Sequence, residues 1–192
     1  MSKKIVAIAC STGGPRALQE IIPKLPANLN SPVIVVQHMP DGFTKSLADR
    51  LNTMSDLEVL ESVDGELIKE GIVYIAKAGK HLNIINDKNN HYILHSDEAL
   101  REGVKPCANY MYESLVKCKY DEIICVVLTG MGADGAEGIS KLALEKNIKI
   151  LIQDEESSIV YGMPGSIIKK KLDFEICNLN SISNRITELL ED

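Results

Sequence analysis

The sequence predicts an α/β fold, a three-layer, doubly wound and largely parallel sheet with a small inserted β-hairpin. Short apolar runs without polar alternation recur along the chain and are typical of strands buried on both faces. Segments whose apolar residues recur at helical spacing alternate with these runs. Near the middle, a polar tip at residues 86–90 separates two short strand-like runs, which indicates a hairpin.

Composition and length set the broad class. The chain has 192 residues, 45% of them hydrophobic and 25% charged, so we expect one globular domain over residues 1–192. A net charge of −6 and an aromatic content of 4% without Trp argue against nucleic acid as a partner. No apolar run approaches the roughly 20 residues of a membrane span, and residues 1–4 lead straight into a strand. We therefore expect a cytoplasmic protein without membrane insertion.

The cysteines do not form a recognisable framework. There are five, an odd number, scattered and without a Cys-x-x-Cys pair, so neither a disulfide scaffold nor a zinc site is expected. Cys10 ends an apolar strand and is interpreted as a small core residue.

The first predicted strand, residues 5–10, leads into a helix through a tight turn. Gly13 and Gly14 permit the turn, and Pro15 suits the first turn of the helix. Ser11 then lies at the carboxyl edge of the sheet beside a helix N-terminus, whose free N–H groups suit an oxyanion. Two interpretations stay open for Ser11, a nucleophile and a helix N-cap.

The other elements follow in order. Further strands are predicted at residues 32–37, 57–63, 71–76, 81–85, 92–95, 123–128 and 148–152. Helices are predicted from a Thr44 cap to about residue 52, at residues 107–118, through Ile139, Leu142 and Leu144, from Gly162, and at residues 182–190.

Three polar residues follow three predicted strands. Ser11 follows the first, His38 follows residues 33–37, and Asp134 follows residues 123–128. Because the carboxyl ends of parallel strands share one edge of the sheet, a nucleophile, a base and an orienting carboxylate would meet there. Asp134 near a helix N-terminus should stay ionised.

Structural roles are the alternatives for the same residues. His38 could be a hydrogen-bonded turn histidine, and Asp134 could be a helix cap. His81, His91 and His95 lie in or beside the hairpin without metal-ligand spacing and are interpreted as surface or structural residues.

A different function class competes for the turn after residue 128. Gly130, Gly132 and Gly135 match the G-x-G-x-x-G fingerprint of dinucleotide-binding proteins, and Asp154 follows about 20 residues on, where a ribose-binding acid is expected. Against this interpretation, Asp134 would place a carboxylate beside an anionic pyrophosphate. The fingerprint also comes late in the chain rather than at the first βα turn.

Four segments carry a family resemblance. They resemble the catalytic domain of the chemotaxis protein-glutamate methylesterases. The segments are residues 9–15 (ACSTGGP), 36–44 (VQHMPDGFT), 128–136 (LTGMGADGA), and 153–155 (QDE) with 161–164 (YGMP). The resemblance runs from residue 5 to about residue 177. It implies hydrolysis of glutamate methyl esters on chemoreceptor cytoplasmic helices and, in many members, deamidation of receptor glutamines.

The resemblance also implies roles for particular residues. Ser11 is then the nucleophile, His38 the general base and Asp134 the orienting acid, while Thr12 and Met131 frame the oxyanion site. The reaction is an acyl transfer through a covalent intermediate on Ser11. No cofactor or metal is expected.

Two departures from the family pattern stand out. Members usually carry an N-terminal receiver domain, and none is expected in residues 1–192. How activity is regulated therefore stays open, and a separate receiver domain acting in trans is one alternative. Many members have a His-Arg-Pro-Ser-x-Asp run where this chain has VKPCAN at residues 104–109. We expect this second departure to affect receptor docking or the rim of the site, and not the three catalytic residues.

Overall fold

Strands and helices alternate along residues 3–192, the part of the chain that the computed structural model describes. The strands are β1 (Lys4–Cys10), β2 (Val33–Gln37), β3 (Glu58–Glu61), β4 (Ile72–Ile75), β5 (His81–Asp87), β6 (Asn90–Ser96), β7 (Glu122–Val127), β8 (Ile148–Gln153) and β9 (Glu175–Cys177). The α-helices are α1 (Gly14–Ile21), α2 (Phe43–Met54), α3 (Ala108–Ser114), α4 (Ala136–Glu145), α5 (Gly162–Ile168) and α6 (Leu179–Glu191).

Seven strands form one parallel sheet in the order β3-β4-β2-β1-β7-β8-β9, and β5 and β6 pair separately as an antiparallel hairpin. The predicted fold class is confirmed. β1 is central, with β2 on one side and β7 on the other, so the order of the strands reverses around it. Ligands of such sheets bind beyond the carboxyl ends of the strands at this reversal.

Helices cover both faces of the sheet. One apolar cluster joins alternate residues of β1 to α1, α2 and α6 through Val6, Ile8, Leu18, Leu51 and Ile182. The other joins the remaining residues of β1 to α3, α4, α5 and the hairpin through Ile5, Ala7, Met111, Ile139, Ile167 and Ile84. Every residue of β1 is buried, which explains its continuous apolar sequence.

The beginning of α2 differs from the expected one. Gly42, in the left-handed region at φ 86°, is the N-cap, and Thr44 lies inside the helix. The Thr44 hydroxyl donates to Glu61 Oε1 at 2.6 Å and accepts from the Ala78 N–H at 3.0 Å. The predicted Thr44 cap is therefore wrong, because this hydroxyl ties α2 to the ends of two neighbouring strands instead.

Two further boundaries differ from the predictions. The hairpin turn is tighter than the predicted tip, since β5 runs to Asp87 and β6 starts at Asn90. β9 was not predicted, because its three residues pair only with β8 at the sheet edge and are too few to show a periodicity.

Within residues 3–192, no helix has the length and apolar character needed to cross a bilayer. The same residues contain no group of three or more His, Cys, Asp or Glu side chains placed to hold a metal ion.

His91, on β6 of the hairpin, packs against the segment that follows α3. His91 is only 2% exposed, its ring stacks on Tyr120 at 4.2 Å, and its Nε2 accepts from the Lys119 N–H at 3.0 Å. Burial, together with the charges of Lys3, Lys119 and Lys146, lowers the pKa of His91 to about 4. The ring is therefore neutral in the folded protein at neutral pH.

This neutral histidine makes stability depend on pH. Between pH 6.5 and 4 the unfolded chain binds a proton at His91 that the folded protein does not, so the free energy of unfolding falls as the pH falls through this range. The loss from this group is roughly 3 kcal/mol. In His91→Gln, the amide oxygen can still accept from the Lys119 N–H. Urea unfolding at a series of pH values should show that the free energy of unfolding of this variant depends less steeply on pH than that of the wild type. An unchanged dependence would contradict this account.

Candidate active site

The structure brings the three predicted residues to one edge of the sheet. Ser11 follows β1 and His38 follows β2, and the register that pairs Cys10 with Gln37 makes them neighbours at the ends of adjacent strands. Asp134 lies in the loop between β7 and α4. His38 Nε2 lies 2.7 Å from Asp134 Oδ2, so the imidazole and the carboxylate are paired.

Backbone contacts fix the turn that carries Ser11. The Ser11 N–H donates to the Thr129 carbonyl at 3.0 Å, which ties the end of β1 to the segment after β7. Gly13, at φ 83°, is the N-cap of α1, and no side chain caps this helix. The N-cap interpretation of Ser11 is therefore wrong, and its half-buried side chain does not serve the helix.

Gln37 joins the serine and the histidine, a role that the sequence reasoning missed. Its side chain is 2% exposed, and its Nε2 donates to the carbonyls of Ser11 at 3.0 Å and His38 at 2.9 Å. Gly14 makes room for it, since a Cβ there would lie 1.9 Å from Gln37 Oε1. One polar side chain at the end of an otherwise apolar strand was the available signal.

Four donors surround the buried carboxylate of Asp134, which is 2% exposed. Oδ2 faces His38 Nε2 and accepts from the Ala108 N–H at 2.6 Å. Oδ1 accepts from the Cys107 thiol and the Asn109 N–H, both at 2.9 Å. A carboxylate offers about four lone pairs, so this one is saturated.

These contacts decide the charge of the site. Burial alone would raise the pKa of Asp134, but the hydrogen bonds from His38, Cys107 and the Ala108 N–H outweigh it and hold the pKa below its ordinary value. Asp134 is therefore an anion at neutral pH, as the sequence predicts.

The segment before α3 plays a different part from the one expected. The departure from the family run at residues 104–109 was expected to leave the catalytic residues untouched, and this expectation is wrong. Cys107, Ala108 and Asn109 all donate to Asp134. Asp134 does not cap α4, whose N-cap is Gly135, but it accepts from the first N–H groups of α3.

Asn109 also fixes the loop that carries Asp134. Its Oδ1 accepts from the Gly135 N–H at 3.1 Å and the Gly138 N–H at 2.7 Å. Its Nδ2 donates to Glu102 Oε1 at 3.2 Å. The amide is fully buried and locks the start of α4 against the start of α3.

Thr12, which follows Ser11, and Met131 are both exposed, Met131 by 73%. Met131 follows Gly130, at which a Cβ would lie 2.9 Å from Ser11 Cβ, so the two turns touch. In residues 3–192, neither the Thr12 nor the Met131 N–H donates to a backbone carbonyl. Both N–H groups remain available to a ligand beside Ser11.

An open cleft of about 500 Å³ adjoins His38. Its walls come from the loop after β2 and from the segment before α3, including Met39, Pro40, Leu100, Val104 and Lys105. A substrate side chain can therefore approach the histidine from solvent.

A second serine–histidine pair lies elsewhere in the protein. Ser62 Oγ is 2.9 Å from His95 Nε2, but Ser62 is 1% exposed and also accepts from the Lys77 N–H at 3.2 Å. This hydroxyl is enclosed and holds strand ends together, so it cannot meet a substrate. The pair is structural.

Comparison with known proteins identifies the family. A family model described as CheB methylesterase matches residues 6–186. The chain belongs to the CheB methylesterase family. The crystal structure of the Thermotoga maritima CheB methylesterase catalytic domain aligns with a TM-score of 0.93 at 39% identity, covering 98% of this chain and 100% of that one.

Curated relatives in the CheB methylesterase family are longer than this chain. The Bacillus subtilis protein-glutamate methylesterase/protein-glutamine glutaminase is 44% identical over 98% of this chain and 53% of its own length. The Bacillus licheniformis protein of the same name is 42% identical over 96% of this chain and 52% of its own length. The chain spans about half the length of the curated relatives it matches.

The comparisons do not support the dinucleotide-binding interpretation. The Gly130–Gly135 turn carries Asp134, whose carboxylate is enclosed by four donors. Asp154 is held in its own turn by the Ser157 N–H at 3.0 Å and by Asn178 Nδ2 at 3.0 Å. Both carboxylates therefore already have structural partners.

The close approach of Gly130 to Ser11 is testable with a matched pair of glycine variants. Gly130→Ala would place a methyl group 2.3 Å from Met163 Sδ, 2.9 Å from Ser11 Cβ and 3.0 Å from Ser11 N, so the turn that carries Ser11 must shift even if the flexible methionine moves away. We expect a loss of about 1–3 kcal/mol in stability and at least tenfold slower labelling of Ser11 by a fluorophosphonate.

Gly165→Ala is the control, because its Cβ would meet Tyr161 only at an ordinary 3.6 Å. It should label at the wild-type rate and unfold at the same or a slightly higher temperature. Equal labelling of both variants would contradict the close approach.

Proposed function

We propose that this chain is the catalytic domain of a serine hydrolase that removes methyl esters from glutamate side chains of chemoreceptors, producing glutamate and methanol. The 2.7 Å contact of His38 Nε2 with the buried, ionised Asp134, at the strand end beside Ser11, carries the proposal. Membership of the CheB methylesterase family and the printed names of its relatives support it.

The contact with Asp134 selects the ring nitrogen that acts as the base. Because Asp134 is an anion, Nε2 of His38 carries the hydrogen and donates it. The lone pair of the neutral ring is then on Nδ1, which takes the proton of Ser11 Oγ. The Ser-His-Asp template uses the opposite ring nitrogens, but the roles are the same.

In the first half of the reaction, Ser11 Oγ attacks the ester carbonyl carbon while its proton passes to His38. Asp134 stabilises the imidazolium that forms. The tetrahedral intermediate collapses, the bond to the methoxy oxygen breaks, and that oxygen takes the proton from His38. Methanol leaves, and the glutamyl group remains esterified to Ser11.

In the second half, His38 takes a proton from a water molecule that attacks the acyl-enzyme. The new tetrahedral intermediate expels Ser11 Oγ, which recovers its proton from His38. The Thr12 and Met131 N–H groups are the proposed donors to the oxyanion in both halves. No metal or cofactor takes part in this scheme.

Deamidation of receptor glutamines is proposed as a second reaction of the same site. It passes through the same glutamyl-enzyme, with ammonia instead of methanol as the leaving group. The curated relatives carry the glutaminase name beside the esterase name. The proposed partners are the cytoplasmic helices of methyl-accepting chemoreceptors, with a separate receiver domain acting in trans as the proposed regulator.

Replacing the nucleophile tests the covalent mechanism. Ser11→Ala should reduce methanol release from methylated receptor by at least 10³-fold while the unfolding temperature stays near that of the wild type. Ser62→Ala, in the enclosed serine–histidine pair, is the matched control and should keep its activity per folded molecule. Loss of no more than a few-fold in Ser11→Ala would exclude the covalent mechanism.

The variant Asp134→Asn distinguishes the proposed esterase function from dinucleotide binding. The negative charge of Asp134 would favour ester hydrolysis but oppose binding of a pyrophosphate. For the esterase, the amide cannot stabilise the imidazolium, and turnover should fall roughly 10²–10⁴-fold. Next to a pyrophosphate, removing the charge would instead tighten binding.

Both proteins are therefore assayed on methylated receptor and titrated with NADH. We expect hydrolysis by the wild type and saturable NADH binding by neither. NADH binding that tightens in the variant, with no hydrolysis by the wild type, would overturn the proposed function.

A further inference from the structure

Cys107 lies between the hairpin and the catalytic carboxylate. It immediately precedes α3, is fully buried, and its thiol donates to Asp134 Oδ1 at 2.9 Å. Its backbone N–H donates to His81 Nδ1 at 3.2 Å. His81 is in turn held by a 3.1 Å contact of its Nε2 with the Ala99 carbonyl. The backbone of Cys107 is therefore fixed independently of Asp134.

The thiol of Cys107 is a permanent donor rather than a nucleophile. Burial raises its pKa to about 12, with further contributions from the charge of Asp134 and the hydrogen bond to it. At neutral pH the sulfur keeps its proton, and that proton points at a carboxylate oxygen. Thiolate chemistry at this position is therefore excluded.

The four donors divide evenly between the two oxygens of Asp134. Oδ2 faces His38 and the Ala108 N–H, while Oδ1 faces the thiol and the Asn109 N–H. In residues 3–192, Cys107 provides the one side-chain donor to Oδ1. Without it, Oδ1 keeps a single partner, the Asn109 N–H, in a buried site, and the carboxylate is held less firmly about its Cβ–Cγ bond.

We propose that Cys107 is a positioning residue for ester hydrolysis, whose thiol holds Asp134 Oδ1 so that Oδ2 stays directed at His38 Nε2. This role goes beyond the proposed function and rests on it, because the orientation of His38 matters only if His38 activates Ser11. It also explains how a change in the segment before α3 can alter the site without touching substrate.

Three cysteine variants test this role. Cys107→Ala removes the thiol donor, and Cys107→Ser replaces it with a hydroxyl donor on a side chain of similar length. Cys118→Ala is the control, since Cys118 is also a buried thiol but donates to the Ile84 carbonyl away from the site. Each protein is measured for the rate of Ser11 labelling by a fluorophosphonate, for kcat and KM on methylated receptor, and for the ¹H resonance of His38 Nε2–H.

We expect Cys107→Ala to label Ser11 about tenfold more slowly, with kcat reduced by a similar factor and KM changed less than about twofold. Its Nε2–H resonance should move, because the carboxylate that accepts that proton is held less firmly. Cys107→Ser should recover the rate to within about threefold and the resonance to near its wild-type position. Cys118→Ala should match the wild type in all of these measurements.

The role is overturned if Cys107→Ala keeps the wild-type rate and resonance, or if Cys107→Ser is as slow as Cys107→Ala. A wild type that labels at Ser11 but releases no methanol from receptor refutes the proposed substrate and leaves the role of Cys107 to be decided by the labelling rates. A wild type whose Ser11 does not label refutes both proposals.

Discussion

The buried negative charge of Asp134 is the constraint on which the rest of the site depends. An isolated carboxylate that is 2% exposed would be costly by several kcal/mol, and here four donors, one just after β2 and three from residues 107–109 at the start of α3, offset that cost. The loop after β7, the start of α3 and the end of β2 must therefore meet at one point. The hydrogen bond between His38 and Asp134 both orients the imidazole ring and helps to keep the carboxylate ionised.

The parallel sheet makes this meeting possible. β1 lies between β2 and β7, so the segments that follow these three strands emerge side by side at one edge. Backbone contacts then hold them together, through Ser11 to Thr129 and through Gln37 to both Ser11 and His38. Gly14 and Gly130 permit approaches that a Cβ would block. The sheet and the backbone contacts between its loops thus assemble the site. No side-chain contact from α1, the helix that follows Ser11, is needed to place this serine.

The sequence was sufficient for the sheet and for the approximate positions of Ser11, His38 and Asp134, because buried parallel strands have continuous apolar sequences and polar residues stand out where they end. It was insufficient for Cys107 and Asn109. Their contacts with Asp134 span 27 and 25 residues of sequence, and a thiol or a backbone N–H carries no periodic signal. Thr44 was misassigned for a related reason, since a hydroxyl near a helix start can bond to distant strands as well as to its own helix.

The decisive measurement is the capture of the covalent intermediate. Methylated receptor fragment is mixed with excess protein, quenched in acid within milliseconds, digested, and the peptides are mapped by mass spectrometry. The arrangement of Ser11, His38 and Asp134 predicts a receptor glutamyl group esterified to Ser11 Oγ, formed together with the first methanol released. Release of methanol with no adduct on Ser11, or with the adduct on another residue, would contradict it.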